Sequence, residues 1–304
     1  MPGQTLAHSA ATAIEHNTFS VELMEDRNLV PHLGSMLRGA FGHALRDEAC
    51  CRKTPHAAAC VYAAIFEPTP PAEWPKRFSD CPPAYVITPP SYGSVQGRHF
   101  QFSMTLLGLA PSFRDIIGHA WEQAGLAGLG SARVPARIHR VQSSTLPPFH
   151  SPGKQLSLRI NTPMLLKQHS RQKPRHYRLA ANEVTFDAIV RALHRRLELT
   201  HLLYGVPANP PPPLEHWLAD SAALDCQANL HDVEFSRHSN RQHRDMPLAG
   251  VIGHLCISGP ISTELLAALA LGQWLHVGGK TSFGLGAYNM TFLDAPGVRL
   301  YLET

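Results

Sequence analysis

The sequence runs to 304 residues, 44% of them hydrophobic and only 16% charged. That is the length of about two ordinary domains, and a charged fraction so far below the usual ~25% excludes a disordered polyampholyte and a coiled coil. No apolar run approaches the ~18 residues of a membrane helix, no basic-then-apolar leader opens the chain, and six cysteines are too few for a disulfide framework; these features predict a reduced, cytoplasmic globular protein with no membrane partner.

Ala11–Glu25 reads as a strand, because Thr18-Phe-Ser-Val-Glu-Leu alternates polar and apolar. Leu33–Cys50 reads as a helix with Leu33, Leu37, Ala40, Phe41, Ala44 and Leu45 on one face. Tyr62–Tyr85 is rich in Pro and aromatics and reads as loop with short strands. His99–Leu107 alternates again, Ser112–Ala124 is a helix, and Gly125–Gly130 is turn-rich. Thr145–Gly153, with three prolines, reads as a linker.

The second half repeats this order. Leu156–Asn161 is a strand, Val184–Tyr204 a long amphipathic helix ended by Pro210–Pro213, and Leu248–Ile257 a strand. Ser262–Leu275 is a helix with Ser262 as its N-cap, and Gly284–Phe292 closes the set. Two copies of strand–helix–strands–helix–strand predict an α+β fold, each half an antiparallel sheet with two helices on one face. The expected domains are residues 1–150 and 151–304.

Net charge is +4, but its placement is uneven. Residues 133–196 hold thirteen Lys/Arg against only Glu183 and Asp187, while acidic residues outnumber basic ones on both sides. Twenty-one of the 27 basic residues are Arg, whose fork matches phosphate and stacks on bases. A basic middle between acidic flanks points to a polyanion partner. Candidate contacts are Arg171, Lys173, Arg175 and Arg178 in one Pro-containing loop, Arg191 and Arg195 four apart on a helix, and Arg237, Arg241 and Arg244 shortly before a strand.

His276-Val-Gly-Gly-Lys-Thr-Ser-Phe-Gly-Leu-Gly-Ala-Tyr follows a helix and precedes a strand. It lacks the spacing and the following helix of a Walker A loop. Gly278, Gly279, Gly284 and Gly286 can expose backbone N–H groups to an anion, with Lys280 adding charge. This segment resembles the C-terminal glycine-rich signature of the CRISPR RAMP superfamily, and more narrowly that of its repeat-processing endoribonucleases, the Cas-six family. Other segments resemble the same family in the same order: Leu37-Arg-Gly-Ala-Phe-Gly-His-Ala-Leu-Arg, Cys60-Val-Tyr-Ala-Ala-Ile-Phe-Glu-Pro, Phe102-Ser-Met-Thr-Leu-Leu-Gly-Leu-Ala, Leu158-Arg-Ile-Asn-Thr-Pro-Met-Leu-Leu-Lys, and Arg237-His-Ser-Asn-Arg-Gln with Leu248-Ala-Gly-Val-Ile-Gly. The resemblance implies two tandem ferredoxin-like (RRM-like) domains. It implies a CRISPR repeat RNA or crRNA hairpin as ligand, and other CRISPR effector subunits as partners.

On a helical wheel His32, Gly39, His43 and Arg46 fall within about 60° of one another, opposite the Leu/Phe face, with Arg38 on the flank. His and Arg on one exposed face suit RNA cleavage without a metal: a base takes the 2′-OH proton, and Arg stabilises the charged phosphorane. The resemblance assigns the catalytic His to this helix, at His43 first and His32 second, with Arg38 and Arg46 in support. It implies an endoribonuclease that cuts precursor repeat RNA to a 2′,3′-cyclic phosphate. The competing reading is a non-catalytic RAMP subunit that holds crRNA. Cys50, Cys51, Cys60 and Cys81, with His56, are zinc ligands by type but lack a C-x₂₋₄-C knuckle. They are read first as buried thiols, with no metal and no cofactor expected, and a zinc-bearing structural protein is the third reading.

The charge distribution places affinity in the middle segment. Arg171→Ala with Arg175→Ala should raise the Kd for repeat RNA and flatten its salt dependence, since fewer phosphates are neutralised. Gel shifts across a salt series measure both, and an unchanged slope would remove these two arginines from the interface.

Overall fold

The computed structural model describes residues 14–26, 29–78, 81–144, 155–168, 177–239 and 244–293. Burial alternates along the first strand, β1 (Ile14–Leu23), with Glu15, Asn17, Phe19, Val21 and Leu23 turned inward. Helix α1 (Gly34–Ala49) follows and buries Leu37, Phe41, Ala44 and Leu45. The chain then makes α2 (Val61–Phe66), β2 (Tyr85–Thr88), β3 (His99–Leu107), α3 (Arg114–Ala127) and β4 (Ala136–Ser144). The sheet order is β2-β3-β1-β4, antiparallel throughout. Its core is an aromatic stack in which Trp121 of α3 lies 5.0 Å from Phe41 and 4.5 Å from Phe102, centroid to centroid. Such pairs add about 0.5–1.5 kcal/mol each beyond the area they bury.

The second half repeats the plan with β5 (Gln155–Met164), the two-residue pair β6 (Lys167–Gln168) and β7 (Tyr177–Arg178), α4 (Phe186–Tyr204), α5 (Leu214–Ala222), β8 (Asp225–Ser239), β9 (Arg244–Ser258), α6 (Thr263–Leu275) and β10 (Tyr288–Phe292). The order β10-β5-β9-β8 matches that of the first sheet strand for strand. Both are the ferredoxin-like arrangement expected from sequence. Ser262 caps α6 through Leu265 N–H, as the sequence predicts, and Thr185 caps α4 through Ala188 N–H. Strands β8 and β9 pair along their whole lengths, but β5 meets β9 only between Val251 and Ser258. The far end of the hairpin is therefore a two-stranded arm.

Two expectations change. Val61–Phe66 is a helix, because Tyr62, Ile65 and Phe66 recur at helical spacing and bury together against α1. The glycine-rich segment after α6 is a coiled turn with one 3₁₀ turn at Thr281–Phe283, and the closing strand begins only at Tyr288. The expected Thr145–Gly153 linker lies outside the described residues.

The halves share apolar surface. Val86 of β2 and Leu107 of β3 belong to the second core, and the His16 ring of β1 sits 3.9 Å from that of Trp274 on α6. Buried Arg196 on α4 donates from Nε to Leu275 O at the end of α6. His276, fully buried, donates from Nδ1 to Leu285 O and accepts at Nε2 from the Thr88 hydroxyl. Burial holds the His16 imidazole down to about 4, and holds that of His276 down to about 3. Both rings are therefore neutral in the fold while the unfolded chain protonates near pH 6.5. Stability is intact above that pH and is lost as pH falls through it, because the unfolded state then binds more protons. The Tm should drop between pH 7.5 and 5, and His276→Gln should lower the Tm at pH 7.5 but shallow its pH slope. A Tm flat across that range would refute the linkage.

Candidate active site

His43 and Arg46 stand on the exposed face of α1 near its C-terminal end. The His43 Nδ1–H donates to Gly39 O one turn back, at 2.9 Å. That bond fixes the tautomer and leaves the Nε2 lone pair outward. The two side chains wall a cleft of about 540 Å³ whose other side is the loop after the helix: Arg52, Lys53, Thr54 and His56, closed by Glu67. Arg46, Arg52 and Lys53, with the imidazoles of His43 and His56, make the lining basic, with the Glu67 carboxylate at its rim and Arg52 paired at 2.8 Å with Asp47. Arg52 and Lys53 were not among the expected site residues. Their signal was two consecutive cations directly after a helix carrying His and Arg.

His32 departs from expectation. It precedes α1, is 3% exposed, and donates from Nε2 to Phe283 O at 2.7 Å, with its ring 5.1 Å from that of Phe235. Burial lowers its pKa, although the bond to Phe283 opposes this. It anchors the glycine-rich turn and does not share the face of His43. Arg38 is half-buried, its guanidinium stacked between the rings of Phe66 (4.5 Å) and Phe283 (4.9 Å). It ties α1 and α2 to the turn, outside the cleft that holds Arg46.

The turn itself is packed. Val277 N–H bonds Gly286 O, Gly286 N–H bonds Pro163 O, and Gly279 N–H bonds Leu165 O. Gly284 and Gly286 are buried with φ of 76° and 78°, and a Cβ on Gly286 would lie 1.9 Å from Val277 O. On Gly284 it would meet Pro89 at 2.6 Å. These two glycines are therefore required by contacts within the protein, which replaces the expectation that their backbone is bared to a polyanion. Gly278 and Gly279 lie against Leu165, and only Lys280 of this set is exposed.

The basic candidates divide similarly. Arg178 is tied into ion pairs with Asp232 and, at 3.1 Å, Glu234, so its charge is already answered. Arg195 stacks 4.9 Å over Phe78 and donates to Arg77 O. Arg191 is exposed on the same helix. Arg237 and Arg244 sit near the tip of the β8–β9 arm by backbone register. Arg171, Lys173, Arg175 and Arg241 lie outside the described residues. Among the cysteines, Cys50, Cys51 and Cys60 gather around His56, while Cys81 stands apart with its thiol pushed up to about 11 by burial. Cys51 goes the other way, to about 6, through the N–H of Ala57, then that of Lys53, then His56.

Residues 158–288 match the family of the CRISPR-associated endoribonuclease Cas6. They form a Cas6-family domain. Residues 12–159, which include α1, match a second family described as an N-terminal domain. Together the two matches run through both sheets. The chain is similar to a Cas6 product complex at a TM-score of 0.61 and 14% identity, over 92% of this chain and 100% of that one. Similarity to Thermus thermophilus Cas6 gives 0.52 and 15%, over 93% and 100%. A RAMP protein binding different RNA substrates gives 0.52 and 11%, over 91% and 99%. At these identities the likeness is one of fold. No curated protein matches the sequence. Among the described residues no helix is long and apolar enough to cross a membrane.

In this Cas6-family domain the glycines act on folding. Gly286→Ala should destabilise by more than ~2 kcal/mol, since it combines a clash with a left-handed backbone. Gly39→Ala, where a Cβ meets nothing within 4 Å, is the matched control and should leave the Tm unchanged or raised. Thermal melts of the two variants decide it: a Gly286→Ala protein as stable as wild type would return that glycine to the ligand-binding role.

Proposed function

We propose that the protein is a CRISPR precursor-crRNA processing endoribonuclease that cuts repeat RNA by 2′-OH attack. The observation that carries this reading is the His43 ring, its Nδ1–H pinned to Gly39 O and its other nitrogen free beside a cleft lined by Arg46, Arg52 and Lys53. Support also comes from the Cas6-family match of the second half.

The chemistry follows from those groups. His43 Nε2 takes the proton of the ribose 2′-OH, and the oxygen attacks the adjacent phosphorus. The P–O5′ bond breaks, the 5′-oxygen leaves with a proton from solvent, and the other product ends in a 2′,3′-cyclic phosphate. Arg46 faces the extra negative charge of the phosphorane, where a charged donor stabilises the transition state more than the ground state. Lys53 holds a flanking phosphate by charge, and Arg52, paired with Asp47 at 2.8 Å, stands beside it. Arg38, with its guanidinium stacked between two rings, is a positioning residue for the turn. His32 has the same part, and neither is assigned to the reacting atoms. Arg191, Arg237, Arg241 and Arg244 extend the contact to a repeat hairpin, read by shape and by splayed bases. The product stays bound for a larger CRISPR assembly.

The test uses single-turnover cleavage of repeat RNA from the protein's own locus, without added divalent ions. The wild type should give one cut with a cyclic phosphate end, and a 2′-deoxy nucleotide at the scissile position should abolish cutting while binding persists. His43→Ala should slow cleavage by ~10²–10⁴ with affinity nearly unchanged, and Arg46→Ala should slow it too. If His43→Ala cuts at the wild-type rate while Arg46→Ala is dead, catalysis is led by Arg. If the wild type binds the repeat tightly and never cuts it, the protein is a crRNA-holding RAMP subunit instead.

A further inference from the structure

The segment between α1 and α2 was expected to bury its thiols singly, yet the fold gathers them. The Sγ atoms of Cys50, Cys51 and Cys60 lie 3.7, 3.6 and 3.7 Å from one atom, His56 Nδ1. All four donor atoms fall within 4.8 Å of one another. A neutral imidazole nitrogen offers one lone pair or one N–H. It cannot satisfy three sulfurs by hydrogen bonding. A cation at the centre satisfies all four groups together. For tetrahedral zinc, with Zn–S of about 2.3 Å and Zn–N of about 2.0–2.1 Å, sulfur and nitrogen ligands stand about 3.6 Å apart. The three observed separations have that value.

The surroundings fit a thiolate site. Each sulfur accepts at least one backbone N–H: Cys50 from Arg52 at 3.4 Å, Cys51 from Ala57 at 3.3 Å, and Cys60 from Cys51 at 3.4 Å. Such bonds spread the charge of a metal-bound thiolate. With Nδ1 as ligand, His56 Nε2 carries the proton, and it faces Glu67 Oε2 at 4.0 Å. A carboxylate behind a ligating His orients the ring and raises its basicity. Arg46, Arg52 and Lys53 stand around the cluster and offset the net negative charge of three thiolates, one neutral imidazole and a divalent ion.

We propose that Cys50, Cys51, His56 and Cys60 form a structural zinc site. Four protein ligands leave no open position for a substrate or an activated water. Its role is to fix a loop. Cys50 N–H closes the last turn of α1 onto Arg46 O, and Cys60 is the N-cap residue of α2. The metal therefore joins the end of one helix to the start of the next, and it holds the intervening Arg52 and Lys53 across the cleft from His43. The site stands on ligand geometry alone, and metal content is measured without RNA, so its fate is separate from that of the cleavage reading.

Full-length protein purified without chelator should contain ~1 zinc per chain by elemental analysis. Replacing zinc with Co²⁺ should give the thiolate-to-cobalt charge-transfer and intense visible bands of a tetrahedral sulfur-rich site. Cys60→Ser and Cys51→Ser should each lower bound metal at least ~10-fold, whereas Cys81→Ser and Cys226→Ser should keep it. Should Cys60→Ser fail to fold, the partly exposed Cys51 gives the answer, together with alkylation of the wild type. Three thiols should be protected from alkylation until a strong chelator is added. Protein that neither contains zinc nor takes it up from a zinc-buffered solution would overturn the site. So would cobalt bound without a thiolate band, or metal retained by Cys51→Ser.

Discussion

Two neutral histidines hold the glycine-rich turn between the sheets, and most of the molecule is arranged around that junction. His276 grips the turn from within by donating to Leu285 O, and it reaches the first sheet through the Thr88 hydroxyl. His32 grips it from the other side by donating to Phe283 O. Each ring uses an uncharged imidazole, because burial makes the charged form expensive. The turn in return sets where α1 begins. A Cβ on Gly34 would lie 1.9 Å from Phe283 O, so the first residue of the helix is a glycine with the turn's backbone laid against it.

From that contact the cleft follows. Helix α1 is fixed at its N-terminal end by the turn and along its length by Leu37, Phe41 and Leu45. The opposite face is then left for His43 and Arg46. Arg38, between Phe66 and Phe283, belongs to both structures at once. The metal-ligand cluster sits at the far end of the same helix. One helix thus runs from the turn, through the imidazole that faces solvent, to the loop with Arg52 and Lys53.

Much of this was legible in the sequence. Alternation in β1, β3 and β5, the spacing of Leu37, Phe41 and Leu45, and the cap at Ser262 are local signals, and local signals survive folding. The duplicated order gave both sheets. The resemblance to RAMP endoribonucleases located the turn and α1. What was hidden depends on distance along the chain. His32 meets Phe283, 251 residues away, and no helical wheel can show that. Arg178 looked free in a basic loop, but its partners Asp232 and Glu234 lie on β8. Gly284 and Gly286 were correctly singled out as glycines with a special duty, but the atoms pressing on them are the protein's own. The cysteines were discounted for lacking a short knuckle; a loop that returns on itself brings ligands together at spacings that no short motif describes. Helix α5 has Leu214, Trp217 and Leu218 at helical intervals, but the prolines directly before it read in sequence as a break.

The apolar joint between the halves carries an evolutionary consequence. Val86 and Leu107 come from the first sheet but are packed in the second core, and Trp274 rests on His16 across the seam. A gene fission between the repeats would leave those side chains in water on two separate polypeptides, each with a greasy patch and a polar group stripped of its partner. The two copies of the fold are therefore bound to a common inheritance. Either can drift in its outer loops, but neither can be exchanged for an unrelated ferredoxin-like module without rebuilding the seam.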